Sequence, residues 1–227
     1  MTILTSNTIY EAPNPVSLLN VGDFLSRYKF IRVPTNVGWS TSNAGSGSVF
    51  QTTFFMHAHT GTTANSTALA YTGAFGLNSG NIGKNFVDWT KYFELHFLIS
   101  RVASDPQVIA RVQLKEAYNE GALAQKGIGI EIDNYTLIGE GYNTSRGTLN
   151  LNTTLTDNMV YRIKLVLRYG TLEFWVNNVL KGTLSGSYVP NTQGYVSANL
   201  VFSIINGSTG GVDAFLIMGN PYIIQEW

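Results

Sequence analysis

The chain has 227 residues, 44% hydrophobic and 12% aromatic, which is enough apolar material for one large core and does not force a division into domains. Only 12% of residues are charged, about half of the ~25% usual in globular proteins. With 14 basic and 14 acidic side chains the formal net charge is +0, so nothing supplies the basic surface that nucleic acid or an anionic membrane requires, and the absence of cysteine excludes disulfides, thiolate chemistry and Cys-based zinc sites.

Residues 1–25 contain Pro13 and Pro15 and read as an extended N-terminal arm; residues 26–227 read as one β-sandwich domain. Met1 to Asn7 lacks the charged segment and apolar run of a signal peptide, and no apolar stretch approaches the ~20 residues that span a bilayer. Tyr28 to Val33 is a predicted strand, stopped by Pro34. The Gly/Ser/Thr/Asn-rich stretches 40–48 and 60–68 are predicted exposed loops, with Val49 to His59 a strand between them. Phe93, Leu95, Phe97 and Ile99 alternate with Glu94, His96 and Leu98, the period of a strand. Val108 to Leu114 follows the Asp105-Pro106 turn, and Gln113 to Gln125 holds the one predicted helical turn, around Leu114 to Ala117. Gly127 to Asp133 puts Ile128, Ile130 and Ile132 on one face and Gly127, Gly129, Glu131 and Asp133 on the other.

The segment Tyr161 to Leu184 alternates most cleanly. Turns at Tyr169-Gly170 and Asn177-Asn178 divide it into a three-strand antiparallel meander that should bury Ile163, Leu165, Leu167, Leu172, Phe174 and Val176. Val196 to Ile205 and Asp213 to Met218 supply late strands. Many strands, frequent turns and no crossover helices predict two stacked antiparallel sheets with almost no helix.

The run Tyr161 to Asn178 resembles the strand–turn–strand hairpin ending in Val-Asn-Gly of laminin G-like and concanavalin A-like sandwiches. Gly127-Ile128-Gly129-Ile130-Glu131-Ile132-Asp133 resembles the strand that carries acidic residues in that superfamily. The resemblance covers about the second half of the chain. It implies an all-β, antiparallel two-sheet jelly-roll sandwich, a fold that hosts lectins, glycosidases, lyases and structural domains.

Glu131-Ile132-Asp133 is the sharpest candidate site, because residues i and i+2 of a strand share a face. By resemblance to family 16 glycoside hydrolases, Glu131 corresponds to the nucleophile and Asp133 to its helper. The acid then falls at 135 or 136, where Tyr135 and Thr136 stand, and Glu140 is too far along to share the strand. Legume-type lectins also carry a Glu-x-Asp strand, opening a transition-metal and calcium pair. The downstream Asn and second Asp do not follow here, and calcium, which takes about 6–8 oxygens, finds only Glu131, Asp133 and Asn134. No cofactor is expected, with calcium the weaker alternative. The plainer reading is a polar face on which Gly127 and Gly129 leave room for a neighbour.

Glu94 resembles the nucleophile strand of family 12 endoglucanases, but the late acids Asp213 and Glu226 sit in no matching motif, so Glu94 and His96 read as a solvent-face pair. His57 and His59 share a strand face but make an incomplete zinc site. Of Trp39, Trp89, Trp175 and Trp227, Trp175 lies on the polar side of its strand with Glu173 and Asn177, the arrangement a sugar-stacking face needs. Sequons occur at Asn65, Asn134, Asn143, Asn152 and Asn206.

These features point to a non-catalytic, surface-displayed structural protein, a virion or appendage component at a virion or extracellular surface. Its partners would be a homo-oligomer or larger protein assembly and candidate glycans, the latter through Glu94, Glu131, Asp133, Trp175 and Asn177, with no nucleic acid and no membrane insertion. The alternative is a polysaccharide-active glycoside hydrolase of the same fold, and a third reading is an assembly subunit without a ligand.

Overall fold

Two-residue alternation places Phe93, Leu95, Phe97 and Ile99 on one face of a strand, and these four meet Ile163, Leu165 and Leu167 of the next strand in the same layer. A computed structural model describes residues 28–33, 39–52, 55–72, 87–102, 107–116, 121–191, 198–208 and 214–226. The predicted arm, 1–25, lies outside the described residues. In chain order the strands are β1 (Tyr28–Arg32), β2 (Trp39–Ala44), β3 (Ser48–Gln51), β4 (Phe55–His59), β5 (Thr67–Thr72), β6 (Phe93–Val102), β7 (Ile109–Lys115) and β8 (Gly127–Asp133). They continue as β9 (Thr136–Tyr142), β10 (Arg146–Thr154), β11 (Val160–Arg168), β12 (Thr171–Val176), β13 (Val179–Ser185), β14 (Asn199–Ile205) and β15 (Phe215–Glu226). Among the described residues the helical content is one 3-10 turn, Gly186–Tyr188.

The strands form two antiparallel sheets. The eight-stranded sheet A runs β13-β12-β11-β6-β15-β4-β3, with β1 also on β15; the seven-stranded sheet B runs β10-β9-β8-β7-β14-β5-β2. The core lies between them. All six meander residues predicted to be buried are at most 2% exposed, and they pack with Val112, Leu114, Ile128, Ile130, Leu200 and Phe202 of sheet B. Each such side chain contributes about 1.5–3 kcal/mol on burial. The turns follow their sequences: Tyr169 and Gly170 take φ of 49° and 73°, Asn177 and Asn178 φ of 49° and 66°, the paired positive values of a type I′ hairpin. Pro221 is accommodated within β15 because the pairing with β6 shifts register between Gly219 and Tyr222.

Four expectations are corrected. Ser40 to Ala44, expected within the loop 40–48, belong to edge strand β2, which among the described residues pairs with β5; an edge strand with its side chains in solvent has no need of apolar alternation. The stretch 60–68 is a connection only up to Ser66, and Thr60 and Ser66 within it are buried. Val49 to His59 is not one strand but two, β3 and β4, folded back with Ser48 opposite His59 and the Thr52 N–H bonded to the Phe55 carbonyl at 2.9 Å. Leu114 and Lys115, expected in a helical turn, continue β7, and the Glu116 N–H extends the ladder to the Lys126 carbonyl. Strands β9 and β10 had no sequence signal. In β9 the inward positions 139 and 141 are glycines because Phe174 and the Tyr188 carbonyl fill the space where a Cβ would stand.

Candidate functional site

The five candidate residues divide between the two outer faces of the sandwich. Glu131 and Asp133 lie on sheet B; Glu94, Trp175 and Asn177 lie on sheet A.

On sheet B, cross-strand register sets Glu131 of β8 against Arg111 of β7, and Glu140 of β9 against Gly129. Glu140 is therefore on the same face as Glu131 although it belongs to another strand, a neighbour that linear spacing could not reveal. The Glu131 Oε2 accepts from Arg111 Nε at 2.8 Å and from Arg146 Nη2 at 3.1 Å. The Glu140 Oε2 accepts from Arg146 Nε and Nη2 at 3.1 and 3.0 Å, and its Oε1 from Gln113 Nε2. Lys115 Nζ completes the chain, donating to Gln113 Oε1 at 2.5 Å and to the Gly121 carbonyl at 3.0 Å. Gly127 and Gly129 lie under the stems of Lys115 and Gln113, where a Cβ would approach to 2.6 and 2.7 Å, so the glycines do make room for a neighbour.

Chemically this face is a closed ion ladder. Hydrolysis by a carboxylate pair requires two carboxyls facing each other across a sugar bond; here Arg146 stands between Glu131 and Glu140. Asp133 is exposed at the strand end and takes no part in the ladder. Tyr135, at the position expected of a third carboxylate, donates to Asp157 Oδ2 at 3.3 Å, with Arg101 4.2 Å from its ring centroid. Burial, with the Asp157 carboxylate second, pushes its phenol pKa up. Among the described residues no cluster of three His, Asp or Glu side chains is arranged to hold a metal.

On sheet A, Glu94 and His96 are 1% and 3% exposed, which corrects the expectation of a solvent-face pair. Val166 and Ile224 flank Glu94 in register, and Lys164 and Tyr222 flank His96. Tyr92 donates to Glu94 Oε1, and His96 Nε2 meets Glu94 Oε2. Tyr222 lies 2.9 Å from His96 Nδ1 and stacks on its ring at 4.3 Å between centroids. With Nε2–H donating to Glu94, the His96 Nδ1 is left to accept from Tyr222. Burial, followed by the Glu94 charge, pushes the Tyr92 phenol pKa far up. Both Glu94 oxygens are thus engaged.

Beside this chain, Trp175 is half-buried. Its Nε1 donates to Glu173 Oε2 at 3.0 Å, and Lys164 Nζ sits 4.4 Å from the ring centroid. Glu173 in turn accepts from Arg168 Nε and Nη2 at 2.9 and 2.5 Å. One pleat further along the same face an open groove of about 420 Å³ is lined by Leu98, Val160, Arg162, Asn177 and Asn178. The type I′ turn creates it. Asn177 brackets the Arg162 backbone, its N–H donating to the Arg162 carbonyl and its Oδ1 accepting the Arg162 N–H, each at 2.9 Å. Arg162 and Leu98 had drawn no attention in the sequence; the alternation of β11 already placed Arg162 on the outer face.

The remaining candidates scatter. His57 and His59 stack at 6.3 Å, each against a phenylalanine, Phe55 and Phe50, and His96 is not with them but in the Glu94 pair. Trp89 is buried at 2% and packs on Phe93. Trp39 is partly buried against the core, and Trp227 lies outside the described residues.

The sequence matches no protein-family model and no curated protein. In structure it is similar to an endo-β-1,4-glucuronan lyase from the fungus Trichoderma reesei, with TM-score 0.55 and 13% identity over 85% of this chain and 94% of that one. It is also similar to the Bacillus licheniformis β-glucanase, with TM-score 0.55 and 12% identity over 86% and 97%. The carbohydrate recognition domain of Emp47p aligns with TM-score 0.54 and 12% identity over 88% and 97%. The chain is a concanavalin A-like β-sandwich. At such identities the likeness establishes the fold and stops there, and among those three proteins the fold serves a lyase, a glucanase and a carbohydrate recognition domain alike.

Proposed function

We propose that the chain is a non-catalytic, surface-displayed glycan-binding sandwich, a structural component of a virion or appendage, with the groove beside Trp175 as its ligand site. The observation that carries this reading is the engagement of every candidate nucleophile. Glu131 is held by Arg111 and Arg146, and Glu94 by Tyr92 and His96. The groove offers amides and apolar side chains, and Trp175 lies two residues before Asn177 on the same strand face. The similarity in fold to a carbohydrate recognition domain and to two polysaccharide-acting enzymes supports the same ligand class. Low charge and a Ser/Thr/Asn-rich exterior suit a displayed protein, and among the described residues no helix is long and apolar enough to cross a membrane.

The test has two arms. Titration calorimetry against an oligosaccharide panel should show binding that Trp175→Ala weakens. Incubation with β-glucans and galactans should release no reducing ends. Turnover abolished by Glu131→Gln or Glu94→Gln would replace this reading with the hydrolase.

A further inference from the structure

The chain has three histidines and no cysteine. His96 is buried and committed to Glu94 and Tyr222. The other two, His57 and His59, are partly buried on the outer face of sheet A, where the two-residue period of β4 sets them side by side while Met56 and Ala58 face the core. Their rings are stacked, 6.3 Å apart between centroids and 10° from parallel. Register sets Phe50 of β3 opposite His57 and Ser48 opposite His59, and Ile217 of β15 flanks His57 on the other side. Phe50 and Phe55 are exposed, and their rings lie 5.3 Å from His59 and 4.9 Å from His57. The result is a pair of nitrogen ligands inside an apolar collar.

We propose that His57 and His59 of two copies of this chain together bind one divalent transition-metal ion such as zinc, and that the ion joins the copies across this face. Tetrahedral zinc takes four ligands, imidazole nitrogens among them, at about 2.0–2.1 Å. One copy supplies two. The third histidine is held in the Glu94 pair and the sequence has no thiol, so the matching nitrogens come from a second copy. A two-fold axis through the patch sets each pair against itself and makes four. Two imidazoles on one tetrahedral ion have centroids roughly 5 Å apart, which side-chain rotation on this outer face reaches from the observed 6.3 Å. Each ring has two nitrogens, so a hydrogen bond at one is compatible with the metal at the other and orients the ring. Phe50 and Phe55 of both copies supply apolar surface that excludes water around the ion. The formal net charge of +0 leaves no general repulsion between copies. No residue of the glycan groove takes part, so the two readings stand or fall separately.

The experiment takes the full chain, stripped with a chelator and held dilute, and titrates it with zinc chloride in a calorimeter while light scattering follows its mass. Zinc should bind at one ion for every two chains and double the mass, and excess chelator should reverse both. Magnesium should do neither, because a hard cation prefers oxygen ligands. His57→Gln and His59→Gln should each weaken zinc binding on the order of tenfold or more and leave the mass at that of one chain. One ion per chain without a change of mass, no zinc binding, a mass already doubled before zinc is added, or doubling that survives either substitution overturns the inference. Both histidines lie on an outer face, so the variants should melt with the metal-free parent; if one does not, the stoichiometry and the chelator reversal on the parent decide.

Discussion

Gln113 lies directly across Gly129: a Cβ at position 129 would come within 2.7 Å of the Gln113 Cγ and of the Val112 carbonyl oxygen. The glycine is therefore what lets Gln113 reach Glu140. Gly129→Ala should destabilise the fold by about 1–3 kcal/mol through overpacking, read as a lower urea midpoint at unchanged slope. A wild-type midpoint would mean that β7 and β8 separate without cost.

Arg146 bridges Glu131 and Glu140, and the Glu140 side chain is 0% exposed. Arg146→Ala leaves that carboxylate with Gln113 as its remaining partner and should cost roughly 2–4 kcal/mol. The double variant Arg146→Met, Glu140→Gln should recover much of the loss, because no buried charge is then left uncompensated. A thermal melt of the three proteins settles the comparison.

His57 has its pKa lowered below the usual 6.5, by burial first and by the neighbouring His59 second. The unfolded chain therefore takes up the proton more readily than the folded one. Stability linked to this group is fully present above pH 6.5 and falls as the pH drops below it, toward the folded pKa. His57→Gln should flatten that acid-side slope relative to the parent. Parallel pH profiles for the two proteins would exclude the linkage.

Asn206 is 2% exposed and sits in a sequon, yet its Nδ2 donates to the carbonyls of Gly61 and Thr63 at 3.1 Å each, and its Oδ1 accepts from the Gly207 N–H at 3.0 Å. It should stay unglycosylated in the folded protein produced in a glycosylating host, in contrast to exposed Asn152. Asn206→Ala should cost about 2 kcal/mol, since the buried Gly207 N–H loses its acceptor and the Gly61 and Thr63 carbonyls lose a donor. Intact mass spectrometry and a melting curve read the two outcomes.

Phe30, Phe50 and Phe55 are 53%, 58% and 39% exposed, and the last two flank His57 and His59 on sheet A. With few surface charges to oppose contact, the full chain should self-associate at high concentration, and Phe50→Ser with Phe55→Ser should shift it toward monomer in light scattering. A parent that is monomeric at every concentration would sink the assembly reading.

The fold was legible where one face of a strand is buried. The alternation of Tyr161 to Leu184 and of Gly127 to Asp133 gave the strands, their faces and the meander, because burial on one side imposes a period of two on the side chains. It failed where that pressure is absent or disguised. Edge strand β2 buries almost nothing, and β9 faces the core with Gly139 and Gly141, which leave no apolar signal.

The candidate site divides in the same way. Composition excluded thiol chemistry and a basic surface, and strand parity put Glu131 with Asp133 and Trp175 with Asn177, because these follow from residue type and from neighbours two positions apart. Which side chain stands opposite them depends on strand order and register, which join residues distant in sequence. Only the tertiary structure could place Glu140 and Arg146 beside Glu131, bury Glu94 and His96 beside Tyr92 and Tyr222, and set Arg162 and Leu98 next to Asn177. Hydrogen-bonded pairing between strands brings those groups together, and no local pattern encodes it.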